Sequence, residues 1–204
     1  DFVFVAEELG LIVPLGEWAF RTACRQLRGW AEEGFDDVVV SVNISPRQFL
    51  SRHLVPSLLS IVRETGADPK RIELEITETM VMRNLEQSIE LLDQLRAVGM
   101  RVAIDDFGVG YSSLGQLKRL PATGLKIDRS FITPTMEDPS SGSITEAIIA
   151  MARRLKLRVV AEGVETPAQL EFLRASQCDA FQGFLFSKPV TGLEATAMLR
   201  AQSQ

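Results

Sequence analysis

The chain has 204 residues, 46% of them hydrophobic and 24% charged, and a net charge of −5. That is room for one domain with a substantial core, and the acidic balance argues against holding long nucleic acid through a general basic field. Two cysteines, Cys24 and Cys178, and one histidine, His53, exclude a disulfide framework and a Cys/His zinc site. No apolar run approaches the roughly 18–20 residues of a membrane span. A soluble, cytoplasmic segment is therefore expected, which leaves open an anchor upstream. The first residues, Asp1-Phe2-Val3-Phe4-Val5-Ala6-Glu7-Glu8, read as the middle of a helix, so a cut from a longer chain is expected.

In chain order, the 3.6-residue apolar period predicts a helix over 14–33, and a β-branched run predicts a strand over 38–45. Helix 53–65 and strand 71–77 follow, then helix 85–98 and strand 101–107. A short helix over 112–119 precedes strand 124–128. The stretch 135–143, with Pro139 and Gly142, reads as a loop. Helix 143–155, strand 158–164, helix 167–176, strand 180–187 and helix 192–202 end the series. Gly34, Gly66 and Gly99 are placed to stop helices. Thr166-Pro167-Ala168-Gln169 is a capping box with proline at the first helical position, and Ser143-Ile144-Thr145-Glu146 has similar chemistry. His53 reads as a surface residue, the cysteines as small core residues, and the Phe2/Phe4 and Trp18/Phe20 pairs as core or covered surface.

Strand–helix alternation argues for a parallel sheet, since parallel neighbours need a helical crossover. Repeated this often, it favours a (β/α) barrel over an open sheet. About six of eight strands are present. The expected fold is thus α/β, a TIM-like barrel incomplete at the N-terminus, with residues 1–204 as a single domain.

Nearly every predicted strand ends in a polar residue: Asn43, Glu75, Asp105-Asp106, Lys126-Ile127-Asp128, Glu162 and Gln182. In a barrel these ends share one rim, where active sites lie. Carboxylates gathered there repel one another unless a cation sits among them. The donors are hard oxygens, suited to Mg²⁺, Mn²⁺ or Ca²⁺. Adjacent aspartates reach one rim only where the strand breaks, and Phe107-Gly108-Val109-Gly110 supplies a break. One aspartate could bridge two ions, with Asn43 and Glu75 on one side and Asp106 and Glu162 on the other, an arrangement suited to displacement at phosphorus. Lys126 would orient or deprotonate the attacking water, or hold developing charge. Glu73 reads as a paired structural charge and Glu78 as a loop organiser. A serine-hydrolase reading lacks a histidine base.

Six motifs occur in order: Asn43-Ile44-Ser45-Pro46, Glu75-Ile76-Thr77-Glu78, Asp105-Asp106-Phe107-Gly108-Val109-Gly110-Tyr111-Ser112-Ser113-Leu114, Leu125-Lys126-Ile127-Asp128, Ala161-Glu162-Gly163-Val164-Glu165-Thr166 and Gln182-Gly183-Phe184-Leu185-Phe186-Ser187-Lys188-Pro189. Together they resemble the EAL-domain family of cyclic di-GMP phosphodiesterases, from about Phe2 to Val190. The resemblance implies hydrolysis of cyclic di-GMP to the linear dinucleotide with two Mg²⁺ or Mn²⁺ ions. It implies Asn43, Glu75 and Asp105 as ligands of one ion, and Asp105, Asp106 and Glu162 as ligands of the other. Lys126 is implied to position or activate water, and Gln182 to contact site waters or substrate. Glu78 is implied to pin the loop after Asp106, and Asp128 to serve as a substrate or loop contact.

That loop and its short helix are implied to join a homodimer. The sequence departs at Val109, where the family usually has a small hydroxyl residue or alanine. The resemblance also places the strand bearing Glu-Ala-Leu, with a metal ligand and a phosphate-contacting arginine nearby, before Asp1. Impaired hydrolysis, and a seam closed by pairing with a second copy or by distortion, are the corresponding expectations; the alternative is that the parent protein has these strands. Sensory or diguanylate-cyclase-like domains are expected upstream. The alternative is a non-catalytic cyclic di-GMP receptor or regulatory module.

Overall fold

The computed structural model of the chain describes residues 2–110, 114–132 and 139–202. Helices α1 (Phe2–Glu8) and α2 (Ile12–Glu32) lead to strand β1 (Val40–Asn43). Helices α3 (Pro46–Phe49) and α4 (Leu54–Thr65) and a 3-10 turn at Pro69–Arg71 precede β2 (Ile72–Thr77). Next come α5 (Glu78–Arg83), α6 (Leu85–Ala97), β3 (Arg101–Phe107), α7 (Leu114–Leu117) and β4 (Gly124–Ile127). Then follow α8 (Arg129–Ile132), α9 (Pro139–Arg154), β5 (Arg158–Ala161), α10 (Pro167–Ala175), β6 (Ala180–Phe181) and α11 (Gly192–Gln202). Two compact units result. One comprises Asp1–Ile76, Glu86–Val102 and Thr191–Gln204, the other Thr77–Leu85 and Ala103–Val190.

In the first unit, β1 and β2 pair in parallel, from Val40 opposite Ile72 to Asn43 opposite Glu75. Phe20, Cys24 and Leu27 recur at helical spacing on α2 and are buried, as are Leu58 and Ile61 on α4 and Ile72 and Leu74 on β2. Burying each large side chain stabilises the unit by about 1.5–3 kcal/mol. Trp30 Nε1 donates to Thr196 Oγ1 at 2.8 Å, which ties α11 to α2. Helix α4 ends at Gly66, in the left-handed region at φ 66°. His53 is exposed and directly precedes α4. Of the aromatic pairs expected as core or covered surface, Phe20 is fully buried, whereas Phe2 and Trp18 are exposed. Trp18 falls two residues before Phe20, off the buried face that Phe20, Cys24 and Leu27 define.

In the second unit the strands run β3, β4, β5, β6 in spatial order, all parallel. Leu125 and Ile127 on β4 and Val159 and Ala161 on β5 are fully buried, and as alternate residues they form one apolar face of the strand pair. Two expectations fail at α9. Helix begins at Pro139, so 139–143 is not loop, and residues 133–138 lie outside the described residues. Thr145 lies within the helix, and its hydroxyl donates to the Phe131 carbonyl at 2.9 Å, so Ser143-Ile144-Thr145-Glu146 is not a cap. The capping box of α10 is present: Thr166 Oγ1 accepts from Gln169 N at 3.2 Å, and Thr166 N donates to Gln169 Oε1 at 3.0 Å.

Strand β6 is much shorter than 180–187. After Phe181 the chain folds back on Val164, whose N–H donates to the Gln182 carbonyl and whose carbonyl accepts from Leu185 N.

Candidate active site

In the first unit, strand register sets Asn43 beside Glu75 and Ser41 beside Glu73. These four residues share one face of the strand pair, because alternate residues point the same way. Glu75 and Glu73 are buried, while Asn43 is exposed. Ser41 Oγ donates to Glu73 Oε1 at 3.1 Å. The partner found for Glu73 is thus a hydroxyl, not the paired charge expected.

In the second unit the break in β3 falls earlier than Phe107-Gly108-Val109-Gly110. The β3–β4 register shifts between Ile104 and Phe107, and Asp106 adopts φ 52°. Aspartate tolerates this left-handed conformation better than most residues. The irregularity lies within the aspartate pair itself, and such bulges re-aim side chains beside active sites. Asp105 stays buried and Asp106 is exposed. Asp106 N donates to Asp105 Oδ1 at 3.0 Å.

Lys126, next to the C-terminal end of β4, is 4% exposed. Its Nζ lies 2.6 Å from Glu162 Oε1 and 3.3 Å from Asp105 Oδ1. Glu162 directly follows β5 and is held there by its N–H donating to the Ile127 carbonyl at 3.1 Å. Carboxylate oxygens of Asp105, Asp106 and Glu162 all lie within 4.8 Å of one another. This group fits a divalent cation: its donors are hard oxygens, and one cation, the Lys126 ammonium, already lies against two of them. Burial, and then the charges of Asp105 and Asp128, raise the Asp106 carboxyl above the usual range, with Lys126 opposing. Burial also acts to raise Asp128, but hydrogen bonds from Ser130 and Arg129 outweigh it and leave Asp128 lowered.

Glu78, the first residue of α5, is 2% exposed, and its Oε2 accepts from Gly108 N at 2.9 Å. Gly110 fits against the same carboxylate, because a Cβ there would lie 2.8 Å from Oε1. Gln182 is exposed beyond β6, its backbone N–H donating to the Ala161 carbonyl at 2.8 Å. Ser112 and Ser113 lie outside the described residues. The left-handed Asp106 and the Ser41–Glu73 pair were missed from sequence. For the former the Asp-Asp pair before a glycine-rich turn was the available signal, and for the latter the strand register alone reveals it.

The EAL domain family model matches residues 1–189, and the chain belongs to that family. The bifunctional diguanylate cyclase/cyclic di-GMP phosphodiesterase MucR of Pseudomonas aeruginosa is 47% identical over 190 residues, 93% of this chain and 28% of that protein. The signaling protein YkoW of Bacillus subtilis is 46% identical over 93% of this chain and 24% of its own length. The chain thus spans about a quarter of the length of these curated relatives. The structure of the MucR phosphodiesterase in complex with c-di-GMP matches at a TM-score of 0.93 and 45% identity, over 95% of this chain and 78% of that one. The EAL domain of Mycobacterium smegmatis DcpA matches at 0.86 and 41% identity, over 92% and 84%. The fold class is therefore α/β, of the TIM-like barrel type, with six strands among the described residues. No helix among the described residues is long and apolar enough to cross a membrane.

Proposed function

We propose that this chain is a metal-dependent phosphodiesterase domain that hydrolyses cyclic di-GMP to the linear dinucleotide. The observation that carries the reading is the cluster of Asp105, Asp106 and Glu162 around buried Lys126, in a chain 47% identical to a protein named for that activity. Asn43, Glu75, Asp105, Asp106 and Glu162 are the proposed oxygen ligands of two Mg²⁺ or Mn²⁺ ions. When bound, such ions supply a nucleophilic water and screen charge on the phosphate.

The chain's own residues do the rest. Lys126 is a general acid–base candidate, its ammonium held by two carboxylates beside the reacting centre. Glu162 and Asp105 orient that ammonium. Gln182 and Asp128 are proposed substrate or loop contacts. Glu78 holds the turn after Asp106 through Gly108, which keeps the Asp106 carboxylate aimed. The segment after Asp106 and helix α7 is the proposed dimer contact. Val109 and Leu114 there are 64% and 58% exposed, apolar surface that a second copy would cover. Further domains in the same polypeptide are also proposed, since relatives such as MucR are several times longer.

The test is incubation with Mn²⁺ and cyclic di-GMP, with products separated by chromatography. Linear dinucleotide is the expected result. Micromolar binding without product, also in the longest natural chain that contains this domain, would instead establish a receptor.

A further inference from the structure

Lys126 and a divalent cation draw on the same oxygens. The ammonium sits 2.6 Å from Glu162 and 3.3 Å from Asp105, with its side chain 4% exposed. Those two carboxylates are also members of the only such group found among the described residues. A short charge-assisted contact turns Glu162 Oε1 toward Lys126, and a divalent ion bound at that oxygen would bring two cations close together at a buried position. Both cannot hold these carboxylates with full strength.

We infer that Lys126 is the built-in counter-ion of the cation-free site. It neutralises Asp105 and Glu162 in the resting domain and yields them when a divalent ion arrives, so that ion uptake itself frees the ammonium for water or phosphate. This inference rests on the metal-dependent reading above. It differs from a purely structural ion pair in one consequence. If Lys126 only holds the fold and no divalent ion approaches these oxygens, its loss destabilises the protein and leaves Mn²⁺ affinity unchanged. If it competes with the ion, its loss destabilises the cation-free protein and strengthens ion binding.

The experiment titrates Mn²⁺ alone into the wild type, Lys126→Met and Lys126→Arg, reading free Mn²⁺ by electron paramagnetic resonance and thermal stability in parallel. The expected result is Mn²⁺ binding at least about tenfold tighter in Lys126→Met, with no tightening in Lys126→Arg, which keeps the charge. The stabilisation gained on adding Mn²⁺ is expected to be larger in Lys126→Met than in the wild type. Equal or weaker binding by a folded Lys126→Met would overturn the inference while leaving the metal-dependent reading intact. Wild-type protein that takes up no Mn²⁺ at millimolar ion would overturn that reading and the inference with it. Should Lys126→Met be unfolded without ion, circular dichroism decides: refolding on addition of Mn²⁺ supports the inference, and failure to refold overturns it.

Discussion

Glu78 and Gly108 are joined across 30 residues of sequence by one hydrogen bond of 2.9 Å, from the Gly108 backbone N–H to the Glu78 carboxylate. The bond ties the turn that leaves Asp106 to a buried residue at the start of α5. Glu78→Ala is expected to speed amide exchange at Gly108 and to cost about 1–3 kcal/mol. Glu78→Gln keeps an acceptor oxygen and should lose less. Hydrogen exchange by NMR, with urea unfolding alongside, measures both. Unchanged exchange at Gly108 in Glu78→Ala would show that the turn holds itself.

A second expectation concerns Gly183. A Cβ there would lie 2.1 Å from the Val164 carbonyl oxygen and 2.4 Å from its nitrogen, and both are backbone atoms. Nothing flexible can move aside. Gly183→Ala should cost more than about 3 kcal/mol, because it drives apart the pairing of the segment after β6 with Val164. Thermal and urea unfolding of the variant provide the measure.

Cys24 offers a third. Burial, opposed by a Thr65 hydrogen bond and Arg21, lifts its thiol to about 11 from 9.0. The native state therefore favours the neutral thiol. Its contribution to stability is fully present below pH 9 and is lost as pH rises toward 11. In a Cys178→Ser background, native Cys24 should react with iodoacetamide at pH 8 at least about 100-fold more slowly than in urea. Urea unfolding at pH 8 and pH 10.5 checks the sign of the stability change.

The sequence was most legible where a side chain's neighbours along the chain decide its conformation. Thr166 and Gln169 form the expected capping box because every partner lies within one helical turn. The strand-ending residues Asp105, Asp106, Lys126 and Glu162 were readable because parallel strands deliver their ends to one side. What escaped notice depends on distant contacts. Thr145 looked like part of a cap, yet its hydroxyl is used by the Phe131 carbonyl in the middle of a unit. The left-handed turn at Asp106 arises from register against β4, and local composition around it suggested only a break somewhere nearby. Strand β6 ended early because Gly183 lets the chain pack backbone to backbone on Val164.

For catalysis, Glu75→Gln in the longest natural chain containing this domain should abolish turnover and leave the fold intact. Lys126→Ala should reduce kcat far more than substrate affinity, since the ammonium is assigned to the reaction step. Steady-state kinetics with cyclic di-GMP and Mn²⁺, alongside equilibrium binding in Ca²⁺, separates the two effects. Equal losses in kcat and affinity for Lys126→Ala would assign it to phosphate binding.

The most direct measurement is anomalous scattering from crystals soaked in Mn²⁺. Peaks within about 2.0–2.5 Å of carboxylate oxygens of Asp105, Asp106 and Glu162 are the predicted result. Crystals of the longest natural chain containing this domain that show no peak at those oxygens would contradict the account.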